Sequence, residues 1–174
     1  MVVRSKNFPI SWIHIPNNNN KKKLGISHCP GKQSINLNSE LDLQNDLRSI
    51  SNQQIKCIVS LITAEELLSL NIKNFKKNIK SQGFQHCTEE IKDLSVPSQM
   101  QMSSFKRLIE NIVSEIRRDN RVLIHCNAGL GRSGLVAGII LKEMSEVLNP
   151  IEYLRKFRKG AIETKSQEQF IKHW

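Results

Sequence analysis

A chain of 174 residues with 39% apolar content can bury one sizeable core, and no internal repeat or long linker divides it, so one domain spanning 1–174 is expected. Twenty-six Lys and Arg against 16 Asp and Glu leave a net charge of +10, a field that favours phosphorylated or acidic partners. No run of about eighteen apolar residues, no charged and apolar leader and no interleaved aromatic stripe occurs, so no membrane span, export signal or nucleic-acid partner is expected.

In chain order, short strands are predicted around Ile10 to Ile15 and Leu24 to Ser27, with the polar run from Asn17 to Lys23 as a solvated hairpin tip. A helix from about Ser39 to Ile50 precedes a buried strand, Cys57 to Ile62. Thr63 and Glu66 have capping-box spacing for a helix through Leu70, and a basic helix follows to about Lys80. Phe84 to Ile91 reads as a strand, and Ser98 with Gln101 opens a long helix through Arg118 whose Phe105, Leu108, Ile109, Ile112, Val113 and Ile116 share one face. Val122-Leu123-Ile124 is a short apolar strand, and Ser133 to Val147 repeats apolar residues at helical spacing. Asn149 and Pro150 start another helix, which Gly160 stops, and Thr164 with Gln167 caps a last one. Strands alternating with helices predict an α/β fold: a central, mostly parallel sheet flanked by helices.

The chemistry concentrates in His125-Cys126-Asn127-Ala128-Gly129-Leu130-Gly131-Arg132-Ser133-Gly134, which joins a strand end to a helix start. Five residues between Cys126 and Arg132 suffice to curl the backbone so that the amides of Asn127, Ala128, Gly129, Leu130 and Gly131 converge on an anion. Gly129 and Gly131 permit that curl, since glycine accepts positive φ and brings no Cβ into the cavity. The same amides and the helix dipole favour the thiolate of Cys126. Arg132 has the planar fork that grips two phosphate oxygens. Ser133 is placed to donate to the Cys126 sulfur when it leaves, and His125, on the opposite side of the strand, is assigned to orienting the loop.

This H-C-x-x-G-x-x-R-S run resembles the signature of the cysteine-based protein tyrosine and dual-specificity phosphatases, and it carries the signature without a departure. The resemblance implies their single-domain fold and a phosphocysteine mechanism without metal or cofactor. It also implies a general acid on a loop about thirty residues before the cysteine, a proton donor worth about 10²–10⁴ in rate. Asp93, in Ile91-Lys92-Asp93-Leu94-Ser95-Val96-Pro97, lies 33 residues ahead of Cys126 and is that candidate; Glu89 and Glu90 are the nearest substitutes. Ala161-Ile162-Glu163-Thr164-Lys165-Ser166-Gln167 resembles the loop that positions the hydrolytic water, where many relatives have glutamine at both positions matching Glu163 and Gln167. Only Gln167 is kept, and a water-positioning role competes there with simple capping.

Further short matches, Ile10-Ser11-Trp12-Ile13, Leu24-Gly25-Ile26-Ser27, Cys29-Pro30-Gly31 and Arg158-Lys159-Gly160-Ala161-Ile162, look like the kinase-associated phosphatases, the cyclin-dependent kinase inhibitor group. That resemblance implies a phosphorylated protein substrate, with the activation segment of a kinase among the candidates; a monomer is expected. Two other classes stay open. One is a phosphatase of a phosphoinositide or an RNA 5′ end, weakened because no lysine stands between Cys126 and Arg132; the other is a phosphoprotein-binding or kinase-binding module with vestigial activity. An arsenate reductase would carry its C-x5-R near the N-terminus.

Cys29, Cys57, Cys87 and Cys126 lack zinc-site spacing, and a reactive thiolate implies a reducing compartment, the cytoplasm. Cys57 opens a strand that could lie beside the active-site strand, which makes it the candidate disulfide partner of an oxidised Cys126. Arg155, Lys156, Arg158 and Lys159 form a dense basic cluster, read either as a solvated helix face or as a docking patch.

Overall fold

The apolar strand Val122-Leu123-Ile124 ends up in the middle of the protein. In a computed structural model, which describes residues 7–16, 23–32 and 39–174, it lies within β5 (Arg121–His125), the central strand of a five-stranded sheet. The other strands are β1 (Ser11–Ile13), β2 (Leu24–Ser27), β3 (Ile55–Ser60) and β4 (Gln85–Thr88), in the spatial order β1-β2-β5-β3-β4. Three of the four pairings are parallel and only β1 with β2 is antiparallel, as the alternation of strands and helices predicts. Parallel strands are covered on both faces, which is why β5 reads as a continuous apolar run.

The helices are α1 (Ser39–Asn52), α2 (Ala64–Ser69), α3 (Phe75–Ser81), α4 (Met102–Arg117), α5 (Gly131–Met144), α6 (Pro150–Arg155) and α7 (Lys165–His173). Alternation along the strands sorts them into two layers. Val122 and Ile124 of β5 and Cys57 and Val59 of β3 face a core built with α4, α5, α6 and α7. Leu123 and Ile58 point the other way, onto Leu43, Leu47 and Ile50 of α1 and Phe75 and Ile79 of α3.

Local chemistry sets most of the boundaries. The capping boxes Thr63/Glu66, Ser98/Gln101 and Thr164/Gln167 all form, and the Asn149 side chain accepts from the Glu152 amide with Pro150 in the first turn. Other boundaries differ from expectation. The strand predicted over Phe84 to Ile91 stops at Thr88, because β4 is an edge strand and residues beyond it keep only the irregular bonds Glu89 N–H to Ser60 O and Ile91 N–H to Leu61 O. The helix predicted over Ser133 to Val147 starts at Gly131 and ends at Met144, since Ser145 is extended and turns its hydroxyl back onto Leu141 O at 2.6 Å. α6 ends at Arg155, before the Gly160 breaker. Apart from Lys23, the Asn17 to Lys23 hairpin tip lies outside the described residues.

Phe105 of α4 is fully buried between Phe170 and Trp174, with ring centroids at 5.9 and 5.6 Å in edge-on geometry. Truncation to Ala should therefore lower the unfolding free energy by about 3–5 kcal/mol in urea titration. A loss under about 1 kcal/mol would mean that the α4/α7 contact collapses to fill the space.

Candidate active site

The loop from Cys126 to Leu130 lies where β5 ends, at the carboxyl edge of the parallel strands, and α5 begins immediately after it. Cys126 is almost fully buried at its base, and the Gly129 N–H donates to its Sγ at 3.3 Å. Gly129 has φ +71°, and a Cβ there would lie 2.2 Å from the Ser27 carbonyl oxygen, so no other residue fits. Gly131 differs from expectation. It opens α5 without a positive φ, and its lack of a side chain makes room for the Glu163 carboxylate and the Gln167 amide instead. Among the described residues, no protein acceptor meets the backbone amides of Ala128, Leu130, Gly131 or Arg132. Such a curl of free amides is an anion nest.

His125 is fully buried under the loop, with Phe75 edge-on at 5.5 Å. Burial pushes its pKa down to about 3, so the ring is neutral. Its Nδ1 lies 3.1 Å from Cys126 O, which can only accept, so Nδ1 carries the proton and Nε2 accepts from Ser60 Oγ at 2.6 Å. Ser60 in turn accepts from His86 Nε2 at 2.8 Å. His125 thus holds the backbone carbonyl of Cys126.

Arg132 corrects one expectation and reveals a residue that the sequence reading missed. Its guanidinium is wholly buried, but its fork grips Glu66 rather than standing open: Nη1 to Oε2 at 2.6 Å and Nη2 to Oε1 at 2.7 Å. Nη1 also donates to Ile91 O at 3.0 Å, and Nη2 meets Asp93 Oδ1 at 2.8 Å. Nε alone is buried without a partner. The edge left for a phosphate is therefore Nε with Nη2, and Asp93 occupies half of it. The capping-box signal of Glu66 was legible in the sequence, but nothing local says that its carboxylate turns inward. Burial opposes its ionisation, yet the hydrogen bonds from Arg132 and Thr63 outweigh that and hold its pKa at about 2.

Asp93 sits at the mouth, 56% exposed, on a segment fastened at two carbonyls: Thr164 Oγ1 donates to Leu94 O at 3.3 Å and Gln167 Nε2 to Ser95 O at 3.2 Å. Leu94 takes φ +58°, which turns the chain sharply just after the aspartate. Glu89 and Glu90 are engaged elsewhere, with Gln101 and with Ala64 N–H and Lys76, so the structure brings Asp93 and not these two to Arg132. Gln167 is fully buried, with Oε1 accepting from the Glu163 and Thr164 amides, so here it ties α7 to the Asp93 segment. The Ser133 hydroxyl is buried and makes no hydrogen bond, so the expected contact with the Cys126 sulfur is absent. Asn127 turns its side chain outward to Glu66 and Lys32.

Two cysteine and arginine expectations change. Cys57 pairs with Val122, at the far end of β5 from the loop, and its Sγ lies 3.9 Å from Cys87 Sγ rather than near Cys126. The Cys57 thiol donates to Cys87, which raises the pKa of Cys57 and draws that of Cys87 down to about 7. The basic cluster is neither a fully solvated face nor a free docking patch. Arg155 donates to Ala161 O, Ile162 O and Glu168, and Arg158 to Ala128 O, Gly129 O and Ser11.

Comparison with known proteins agrees with this geometry. A family model described as polymorphic toxin system, DSP-PTPase phosphatase, matches residues 35–145. Cyclin-dependent kinase inhibitor 3 of Homo sapiens is 28% identical over 93% of this chain and 76% of that protein. The tyrosine-protein phosphatase CDC14 homolog of Schizosaccharomyces pombe is 31% identical over 57% of this chain and 17% of its own length. A crystal structure of kinase associated phosphatase, with serine substituted for its catalytic-site cysteine, has a TM-score of 0.83 at 26% identity, covering 95% of this chain and 93% of that one.

Removing one member of a buried ion pair strands the other, so Glu66→Gln is expected to cost about 3 kcal/mol of stability near neutral pH. Because the folded pKa lies below the ordinary 4.5, that difference from wild type should be complete above pH 4.5 and vanish as pH falls to about 2. Urea unfolding of both proteins across this range reads it, and a gap that does not vary with pH would show that the carboxylate charge is not what Arg132 needs.

Proposed function

This chain belongs to the DSP-PTPase phosphatase family, and from that premise we propose that it hydrolyses phosphotyrosine, phosphoserine and phosphothreonine in proteins through a phosphocysteine intermediate. It is a cysteine-based phosphatase. The observation that carries the finer reading is the unpaired, buried Nε of Arg132 beside a curl of unpaired amides with a sulfur at its base.

A phosphate monoester entering the curl displaces Asp93 from Nη2 and takes the Nε and Nη2 edge together with the loop amides. Cys126 attacks phosphorus as the bond to the leaving oxygen breaks, and Asp93, freed from Arg132 at the mouth and protonated from solvent, gives that proton to the leaving oxygen. Water then attacks the phosphocysteine, gives its proton to Asp93 and expels the thiolate, for which the Gly129 N–H is a donor. Arg132 answers the charge that spreads over the equatorial oxygens in both steps. No step uses a metal ion.

Dual specificity is supported by the sequence between the elements, where no aromatic-bearing insertion that would deepen the cleft for phosphotyrosine alone is found. Similarity along nearly the whole chain to proteins named for kinase inhibition and kinase association supports a phosphorylated protein substrate, with kinases among the candidates. A thiolate nucleophile supports a reducing compartment, such as the cytoplasm, as the setting for that work.

Hydrolysis of an aryl phosphate in EDTA should be abolished by Cys126→Ser and lowered about 10²-fold or more by Asp93→Ala. Rapid quench of the wild type during turnover of an aryl phosphate should trap a phosphoryl group on Cys126 that Cys126→Ser does not acquire, and phosphotyrosine and phosphothreonine peptides should both be turned over. Residual turnover by Cys126→Ser, or activity lost to EDTA and restored by a metal ion, would end the mechanism.

A further inference from the structure

Arg158 reaches the catalytic loop from behind. Its Nε donates to Gly129 O at 3.0 Å and its Nη2 to Ala128 O at 2.9 Å, so one edge of the guanidinium straddles two consecutive carbonyls. Nη1 reaches Ser11 Oγ at 3.3 Å, which anchors the same group to β1. Each of those carbonyls shares a rigid trans peptide plane with the next residue's N–H, which must point the opposite way. The plane of Ala128 O carries the Gly129 N–H, the donor to Cys126 Sγ at 3.3 Å. The plane of Gly129 O carries the Leu130 N–H, one of the amides with no protein acceptor. A cation on a carbonyl oxygen also polarises its peptide and strengthens the N–H as a donor.

We propose that Arg158 is a positioning residue of the reaction: by gripping the outward carbonyls of Ala128 and Gly129 it aims the Gly129 N–H at the Cys126 sulfur and the Leu130 N–H at the substrate phosphate. The proposal rests on the phosphocysteine reading and extends it to a residue outside the signature. It also explains why a basic residue just after α6 is turned onto the loop while its neighbour Lys159 remains exposed. Lysine replaces the two-donor edge with one mobile ammonium, so it keeps the charge and loses the straddle.

The test compares Arg158→Ala, Arg158→Lys and Lys159→Ala with wild type. Three readings are taken: the rate at which iodoacetamide alkylates Cys126 at mildly acidic pH, followed by peptide mass; inhibition by inorganic phosphate; and kcat and KM on an aryl phosphate. Arg158→Ala should slow alkylation about fivefold to tenfold, weaken phosphate inhibition and lower kcat about tenfold, a barrier change of ~1.4 kcal/mol. Arg158→Lys should fall between it and wild type, and Lys159→Ala should match wild type. A purely structural strut would lower the melting temperature of Arg158→Ala and leave alkylation and phosphate inhibition unchanged, which overturns the proposal. If Arg158→Ala does not fold, Arg158→Lys decides: wild-type alkylation and phosphate affinity in that variant also overturn it. Alkylation needs no turnover, so an inactive wild type would sink the phosphatase reading while leaving the effect of Arg158 on the sulfur measurable.

Discussion

Burying the guanidinium of Arg132 is the constraint to which the rest of the site answers, because a charge removed from water must be met by acceptors in its own plane. Glu66 takes the end of the fork, Ile91 O takes one Nη1 hydrogen and Asp93 takes one from Nη2. These partners come from two different segments of the chain, one after β3 and one after β4, so packing the arginine also sets the position of α2 and of the Asp93 segment. The side left unsatisfied, Nε, is where binding energy for an anion remains available.

Parallel pairing is what makes that convergence possible. β3, β4 and β5 run the same way, so their carboxyl ends share one edge and the residues that follow each strand meet there. Leu61 and Glu66 follow β3, Ile91 and Asp93 follow β4, and the Cys126 loop follows β5. An antiparallel arrangement would have sent alternate segments to opposite edges. The shortness of β4 matters too, since ending at Thr88 leaves room for the chain to turn before Asp93.

Behind the loop, strained backbone is held by arginines. Ile162, buried and β-branched, has φ +65°, a conformation that costs about 1–3 kcal/mol. Arg155 grips its carbonyl at 2.9 Å, and its N–H donates to Leu130 O at 3.2 Å. Arg158 grips the Cys126 loop itself, at Ala128 O and Gly129 O. Both arginines read in the sequence as members of a surface cluster, yet their donors are directed at backbone oxygens. The loop is therefore shaped from both sides: acidic partners in front fix Arg132, and basic partners behind fix the amides.

The sequence by itself determined the elements whose causes are local. The capping boxes, the Pro150 start, the one-sided apolar stripe of α4 and the strand–loop–helix around Cys126 all depend on residues within a few positions of one another, and they form as read. Tertiary structure alone decided what each polar group faces. Glu66 reads as a cap and serves as the partner of Arg132, 66 residues away; Cys57 reads as a neighbour of the nucleophile and meets Cys87; Gln167 joins a cap to the Asp93 segment. The physical reason is that spacing encodes direction only within one element, whereas the target of a long side chain depends on which strands become neighbours, and that follows from burying the whole core at once.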